Sequence, residues 1–156
     1  MMRPLARRQR RGEIGRNEIL IGVAVVAILL LIAIPIGINN SQKSRRAEVP
    51  LLVQSIHKAE VEYKSAFEEY IACKAAPRPM HAVTEEAVAW APSEGFTTLS
   101  WAPESTEVYG AYTVKLTDGG FVVEGACDVD GDGERAIFSA DQDATEATLK
   151  TAEGIY

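Results

Sequence analysis

The chain has 156 residues and a formal net charge of −6. Residues 39–156 alone contain ten basic and twenty acidic side chains, which gives this part a net charge of −10. Proteins that bind phosphate backbones need a basic patch, so this balance argues against a direct nucleic-acid partner. The roughly 115 residues that follow the first 40 suffice for one small domain with a single core.

Residues 1–13 form a basic segment, and six arginines precede the apolar stretch that follows: Arg3, Arg7, Arg8, Arg10, Arg11 and Arg16. Positively charged flanks remain on the cytoplasmic side of a membrane. The charge pattern therefore predicts a cytoplasmic N-terminus and a C-terminal part outside the cytoplasm.

Residues 19–38 are 20 consecutive residues without a charge. As a helix they span roughly 30 Å, which is the thickness of the hydrocarbon core of a bilayer. A secretory signal peptide is the alternative interpretation, but its apolar part has about 7–15 residues and ends at a small-residue cleavage site. Here polar Asn39 and Asn40 follow. We therefore expect a retained transmembrane helix.

Glu18 directly precedes this apolar stretch. A carboxylate at membrane depth costs about 2.5–3.5 kcal/mol unless it has a partner. Two interpretations are open: Glu18 pairs with Arg16 among the lipid headgroups, or it pairs with a group on another protein chain.

These residues together resemble the N-terminus of type IV pilins and pseudopilins. Members of this family have a short basic leader, a glutamate at the start of an apolar helix, and a proline 17 residues later. Glu18 and Pro35 have this separation. The processing site departs from the family pattern, because Glu13 stands where the family has glycine and the nearby glycines are Gly12 and Gly15.

The resemblance implies that a prepilin peptidase removes the leader near Gly12, so that the mature chain begins at Glu13 or Ile14. It implies that Glu18 neutralises the new amine of a neighbouring subunit, and that residues 14–40 hold copies of the chain in a helical filament. The implied partners are further copies, membrane lipid and the pilus assembly machinery. The implied location is the inner membrane, single-pass with a periplasmic C-terminal domain, and then a surface filament.

Residues 41–76 are predicted to continue the helix. Their apolar residues recur at gaps of three and four along one stripe, namely Val49, Leu52, Val53, Ile56, Ala59, Tyr63, Phe67, Tyr70 and Ile71. Pro50 is expected to bend this helix or to mark its restart, and Pro77 and Pro79 are expected to end it.

Residues 77–156 predict a loop region and a C-terminal β-domain. Strands are expected at 108–116, 121–127 and 135–140, with a hairpin turn at 118–120. Large side chains of the loop region are expected to pack against the helix: Trp90, Phe96, Leu99 and Trp101. The predicted fold class is α+β, with a long N-terminal helical spine, membrane-spanning in its first half, packed against a small antiparallel sheet, as in pilins.

Cys73 and Cys127 are the two cysteines, and they lie 54 positions apart. A disulfide is permitted outside the cytoplasm and contributes about 2–4 kcal/mol. Two buried thiols are the alternative, and we expect the bond.

Asp128, Asp130 and Asp132 occupy alternate positions, and the glycines Gly131 and Gly133 allow a tight turn. Ca²⁺ prefers oxygen ligands, and this spacing matches the first half of an EF-hand loop. Ser139 holds the place of the bidentate glutamate, so an EF-hand is not expected. Two interpretations stay open: a calcium loop completed by other oxygens, as some pseudopilins carry, or an acidic, glycine-rich connection between strands.

The sequence contains no nucleophile–histidine–acid set and no phosphate-binding glycine loop, so we do not expect an enzyme. Two functions remain. The first is a structural subunit of a type IV pilus or related pseudopilus. The second is a single-pass anchored extracytoplasmic binding module that does not polymerise, with calcium dependence if the acidic loop holds the ion. Glu18 favours the first, because a plain anchor needs no carboxylate there.

Overall fold

The computed structural model describes the backbone of residues 16–156 and the side chains of residues 41–156. The chain divides into two compact units, Met1–Ile38 and Asn39–Tyr156. In the first unit the described backbone belongs to helix α1, which begins at Arg16 and ends in the second unit at Phe67. Pro50 lies within α1 and does not end it.

The second unit contains two short helical turns and seven strands. Helix α2 is Glu94–Thr98, and a 3-10 turn covers Met80–Ala82. The strands are β1 Cys73–Ala76, β2 Val88–Ala89, β3 Glu107–Val108, β4 Ala111–Thr117, β5 Gly120–Cys127, β6 Ala136–Asp141 and β7 Thr148–Leu149.

Five of these strands form one sheet in the order β1-β4-β5-β6-β7, and every neighbouring pair is antiparallel. Strands β2 and β3 form a separate antiparallel pair. Strands β4 and β5 form a tight hairpin in which Thr117 pairs with Gly120, and Gly119 takes a φ of +89° in its turn. The three strands predicted from the sequence, and their meander order, are confirmed.

The core of the second unit lies between the later turns of α1 and one face of the sheet. Val49, Val53 and Ile56 are completely buried there. Strand β5 has a glycine at the closest approach, because a Cβ on Gly125 would lie only 2.7 Å from a methyl group of Val53 and 2.8 Å from one of Val49. The absence of a side chain at this position lets the helix lie directly on the sheet.

The aromatic residues of the loop region close the same core. Phe96 is completely buried, and the rings of Trp90 and Trp101 meet edge to face at 5.3 Å. The Trp101 indole donates a hydrogen bond of 3.0 Å to Oγ of Ser55 in α1. The predicted packing of these side chains against the helix is confirmed.

The predicted fold class is wrong. The residues described in full, 41–156, form a small domain rich in antiparallel sheet with one long helix, and no helix among them is long and apolar enough to cross a membrane. The physical reason lies in the burial: among residues 41–156, α1 supplies Val49, Val53 and Ile56, while the strands, the loops and the short helix α2 supply all other buried hydrophobic side chains. The sheet, and not a helical spine, organises this domain.

The predicted continuation of the helix to residue 76 is also wrong. The helix ends at Phe67, and Glu68 takes a φ of +63°, which reverses the direction of the chain. Residues of β1 then pair with β4, where Cys73 lies opposite Val114 and Ala76 opposite Tyr112. The apolar stripe continues in sequence with Tyr70 and Ile71, but these residues lie between the helix and β1, where they pack against the core.

Candidate functional site

The connection between β5 and β6 contains the one group of three acidic side chains, among the residues described in full, that lie close enough to share a metal ion. Asp128 directly follows β5 and is buried, with 5% of its surface exposed. Its Oδ1 accepts a hydrogen bond of 2.8 Å from the Gly131 amide, and its Oδ2 accepts one of 3.1 Å from Gly133. Both glycines have positive φ. Asp128 therefore closes the loop through the backbone of the loop itself.

Asp130 and Asp132 complete the group. One carboxylate oxygen from each of the three aspartates lies within 4.8 Å of the others. Oδ1 of Asp130 is inaccessible to solvent and accepts no hydrogen bond within residues 41–156. Burial, followed by the charge of Asp132, raises the pKa of the Asp130 carboxyl above its usual range.

This arrangement can accept a cation. Two oxygens on opposite sides of a Ca²⁺ ion are about 4.6–5.2 Å apart, since each Ca–O distance is about 2.3–2.6 Å. The three aspartates fit this spacing, and a cation would relieve the repulsion felt by Asp130. Each carboxylate oxygen of Asp128 accepts one backbone amide and has a second lone pair that is available to a cation. The fit covers three ligands of the six to eight that calcium requires.

The remainder of an EF-hand is absent from this region. Ser139 lies in β6, where it pairs with Glu124 of β5 and Thr148 of β7. It is therefore part of the sheet and not of the acidic loop. A further carboxylate, which the sequence did not indicate, comes from a distant loop. Oε2 of Glu85 lies 3.4 Å from the position that a Cβ on Gly131 would occupy. No spacing rule connects residue 85 to the acidic loop, because only the folding of 77–90 over the sheet brings them together.

The predicted disulfide is wrong for this fold. Cys73 lies in β1 and Cys127 in β5, and strand β4 runs between them. Two strand spacings amount to about 9.5 Å, whereas the Cα atoms of a disulfide are about 4.4–6.8 Å apart. Both cysteines are buried free thiols. Burial raises the pKa of each thiol to about 12, with a contribution from the Glu60 charge at Cys73.

The residues predicted to act in processing and assembly fall in the N-terminal part of the chain. Gly12, Glu13 and Ile14 lie outside the described residues. Glu18 and Pro35 lie in α1, where the backbone is described and the side chains are not. Their roles stay predictions.

Comparison with other proteins gives no further assignment. The chain matches no protein-family model, no curated protein and no solved structure.

Proposed function

We propose that this chain is a structural subunit of a filament of the type IV pilus or pseudopilus kind. The proposal rests on the N-terminal resemblance: a basic leader, Glu18 at the start of an apolar stretch, and Pro35 17 residues later. In this proposal copies of the chain assemble through their N-terminal apolar segments, and the C-terminal domains form the outside of the filament.

The observation that carries the proposal is the continuity of α1. One helix, Arg16–Phe67, contains Glu18 and Pro35 in its first half and the buried residues Val49, Val53 and Ile56 in its second half. The residues that resemble a pilin N-terminus and the core residues of the domain thus belong to one continuous helix.

The partners follow from the same proposal. They are further copies of this chain, the peptidase that removes the leader, the assembly machinery and membrane lipid. The precursor is delivered to the inner membrane with its C-terminal domain in the periplasm, and the mature chain is found in filaments at the cell surface.

Two measurements test the proposal. Mass spectrometry of the mature chain should find an N-terminus at Glu13 or Ile14. Glu18→Ala and Glu18→Gln should leave the total amount of protein unchanged and reduce sheared surface filament about tenfold or more, because a buried amine without its carboxylate partner is costly. The matched control is Glu62→Gln, an exposed glutamate in the same helix, which should assemble normally. An intact Met1 in purified filaments, or normal assembly of both Glu18 variants, would refute the proposed role.

A second function is favoured by the acidic loop: an extracytoplasmic binding module that uses a calcium ion and does not polymerise. The favouring observation is the approach of one carboxylate oxygen from each of the three aspartates to within 4.8 Å, together with an oxygen of Asp130 that lacks a hydrogen bond in the described domain. Calcium should then raise the melting temperature of the wild type in a concentration-dependent way. Asp130→Asn should abolish this rise, and Asp118→Asn in the hairpin turn should preserve it. An unchanged melting temperature at millimolar calcium would exclude the site.

A further inference from the structure

We propose that neighbouring subunits also contact one another head to tail through opposite charges on their C-terminal domains. Two surfaces make this contact, one from each copy. The basic patch consists of Lys43, Arg45 and Arg46, and the acidic patch consists of Asp141, Asp143 and Glu146. This inference rests on the proposed filament function, and it adds a contact between domains to the one expected at Glu18.

The two arginines of the basic patch are held in place by aromatic rings. The Arg45 guanidinium lies 5.1 Å from the ring centre of Tyr109, and that of Arg46 lies 5.4 Å from Phe138 and 5.1 Å from Tyr156. Stacking uses the faces of a guanidinium and leaves the N–H donors at its edge free for carboxylates. The patch therefore presents ordered cations whose terminal N–H donors remain available.

Neither patch is neutralised within the chain that the structure describes. The one ion pair among residues 41–156 joins Lys115 to Glu124. Beside the arginines lies an open concavity of about 240 Å³, lined by Lys43, Arg46, Ala47 and Phe138. Carboxylates from another molecule can reach the guanidinium groups through this opening.

The acidic patch begins at the last residue of β6. It lines a second concavity of about 480 Å³, together with the hydroxyl residues Ser139, Thr145 and Thr148 and with Lys150. All three acidic residues are exposed. The segment that carries them is fixed to α1, because Gln54 donates a hydrogen bond of 2.7 Å to the Thr145 carbonyl and accepts one of 2.9 Å from the Ala147 amide. The carboxylates are thus presented on a rigid support.

The acidic loop at 128–134 is a poorer partner for the basic patch. Both oxygens of Asp128 already accept amides of the loop, and Oδ1 of Asp132 accepts the Glu134 amide at 2.7 Å. In the acidic patch, Oδ1 of Asp141 accepts the Asp143 amide at 3.2 Å and Oδ2 of Asp143 accepts the Gln142 side-chain amide at 3.0 Å, while no hydrogen bond reaches the Glu146 carboxylate from another described residue. Each of these three carboxylates therefore keeps at least one oxygen without a hydrogen bond in the described domain, whereas Asp128 keeps none. We therefore assign the contact to Asp141, Asp143 and Glu146.

The positions of the two patches suit a contact that repeats. Arg46 and Gln54, which mark the two patches on α1, are eight residues apart, or about 12 Å along a helix. When the basic patch of one copy binds the acidic patch of another, the pair still has one free basic patch and one free acidic patch. Further copies can therefore add in the same direction. Because residues 39–156 carry a net charge of −10, copies repel one another unless opposite charges meet. The basic patch supplies the positive charge for such a contact.

Cysteine cross-linking tests the contact directly. Lys43→Cys and Asp143→Cys in one full-length chain should give a ladder of trimers and longer species after mild oxidation in the producing cells. Each single variant should give dimers at most, since a ladder needs both surfaces on every copy. Cys73 and Cys127 are buried and provide a background without cross-links. Lys74→Cys with Asp143→Cys is the matched control, and it should give no ladder.

Charge reversal separates the contact from folding. In the cross-linking chain, Arg45→Glu with Arg46→Glu should lower the ladder about tenfold, and Asp141→Lys with Glu146→Lys should do the same. Combining the four changes should restore the ladder to within about twofold of its original level. A variant that had merely unfolded would not be rescued in this way, and protection of the native thiols reports folding independently.

The outcomes distinguish this contact from the proposed function. A charge-sensitive ladder without sheared filaments supports the contact and rejects the filament function. The proposed contact is refuted if filaments form without a cross-linking ladder. It is also refuted if neither charge reversal changes the ladder. Loss of binding to vesicles of phosphatidylglycerol in Arg45→Glu with Arg46→Glu, with an unchanged ladder, would assign the basic patch to lipid headgroups and would overturn the contact as well.

Discussion

The phenolic hydroxyl of Tyr112 donates a hydrogen bond of 3.0 Å to Oε1 of Glu48. The same oxygen accepts the amide of Tyr109 at 3.0 Å and that of Gly110 at 3.4 Å. Glu48 lies in α1 and Tyr112 in β4, so one carboxylate oxygen joins the helix to the start of the central hairpin. This contact determines how the helix is placed on the sheet.

Removing the Tyr112 hydroxyl should weaken the domain measurably. We expect Tyr112→Phe to lower the free energy of unfolding by about 1.5 kcal/mol, since a hydrogen bond to a charged group is lost while the ring remains. Urea unfolding followed by the fluorescence of Trp90 and Trp101, whose rings each lie 6.4 Å from that of Tyr112, measures the change. Tyr63→Phe on the same helix is the control. Equal losses in both variants would contradict the assigned role.

Alkaline pH should act on the same hydroxyl. Burial, followed by the charge of Glu48, raises the pKa of Tyr112 well above its usual value. The folded state therefore keeps a proton that the unfolded state releases above about pH 10, so stability falls as pH rises beyond that value. We expect this fall to be smaller in Tyr112→Phe. Parallel stability curves between pH 9 and 11 would show that Tyr112 does not cause it.

Glu60 should make stability depend on pH in the mildly acidic to neutral range. It is completely buried, its Oε2 accepts the Ile71 amide at 3.1 Å, and its Oε1 has no hydrogen-bond partner in the described domain. Burial raises the pKa of this carboxyl above 4.5, against the smaller opposing effect of that amide. The contribution is favourable at low pH, and it is lost as pH rises through the folded-state pKa.

Glu60→Gln tests this dependence, because the amide keeps an acceptor for Ile71 and cannot ionise. We expect the variant to unfold in more urea than the wild type at pH 8, by about 1 kcal/mol, and to lose the advantage below pH 4.5. Glu62→Gln, exposed two residues later, should show no such difference. A constant offset between variant and wild type from pH 4 to 8 would contradict the prediction.

The thiols should be protected by burial and not by a bond. At pH 8, Cys73 and Cys127 should resist alkylation in the native protein with or without reductant, because both are buried and burial raises each thiol pKa to about 12. After unfolding in urea, both should react fully without reductant. Failure of the unfolded, unreduced chain to react would establish a disulfide and would contradict the separation of the two strands.

The end of α1 should prefer glycine. Glu68 has a φ of +63°, a conformation that costs an L-residue roughly 1–2 kcal/mol and a glycine almost nothing. We expect Glu68→Gly to equal or exceed the wild type in stability, and Glu68→Val to fall about 1–2 kcal/mol below the glycine variant. Thermal unfolding provides the comparison. Equal melting temperatures for glycine and valine would mean that the chain does not turn at this residue.

Local sequence patterns were sufficient to place the central part of the sheet. β-Branched and aromatic residues on either side of the Asp118–Gly119 turn predict the hairpin of β4 and β5 without help from distant parts of the chain, because both partners and the turn are local. The same is true of the acidic loop, where Asp128 and the glycines that it contacts are at most five residues apart. The buried positions Val49, Val53 and Ile56 also follow from helical periodicity.

Only the tertiary structure decided what lies after Phe67. The helical stripe continues in sequence to Tyr70 and Ile71, but the pairing of Cys73 and Ala76 with β4, some 40 positions later, determines that a strand forms there instead of a helix. That pairing places β4 between Cys73 and Cys127 and so excludes their bond. The chain reversal after Phe67 also covers Glu60. The folding of residues 77–90 brings Glu85 close to the acidic loop. Local patterns report what a segment can form; the competition between distant partners for the same backbone hydrogen bonds decides what it does form.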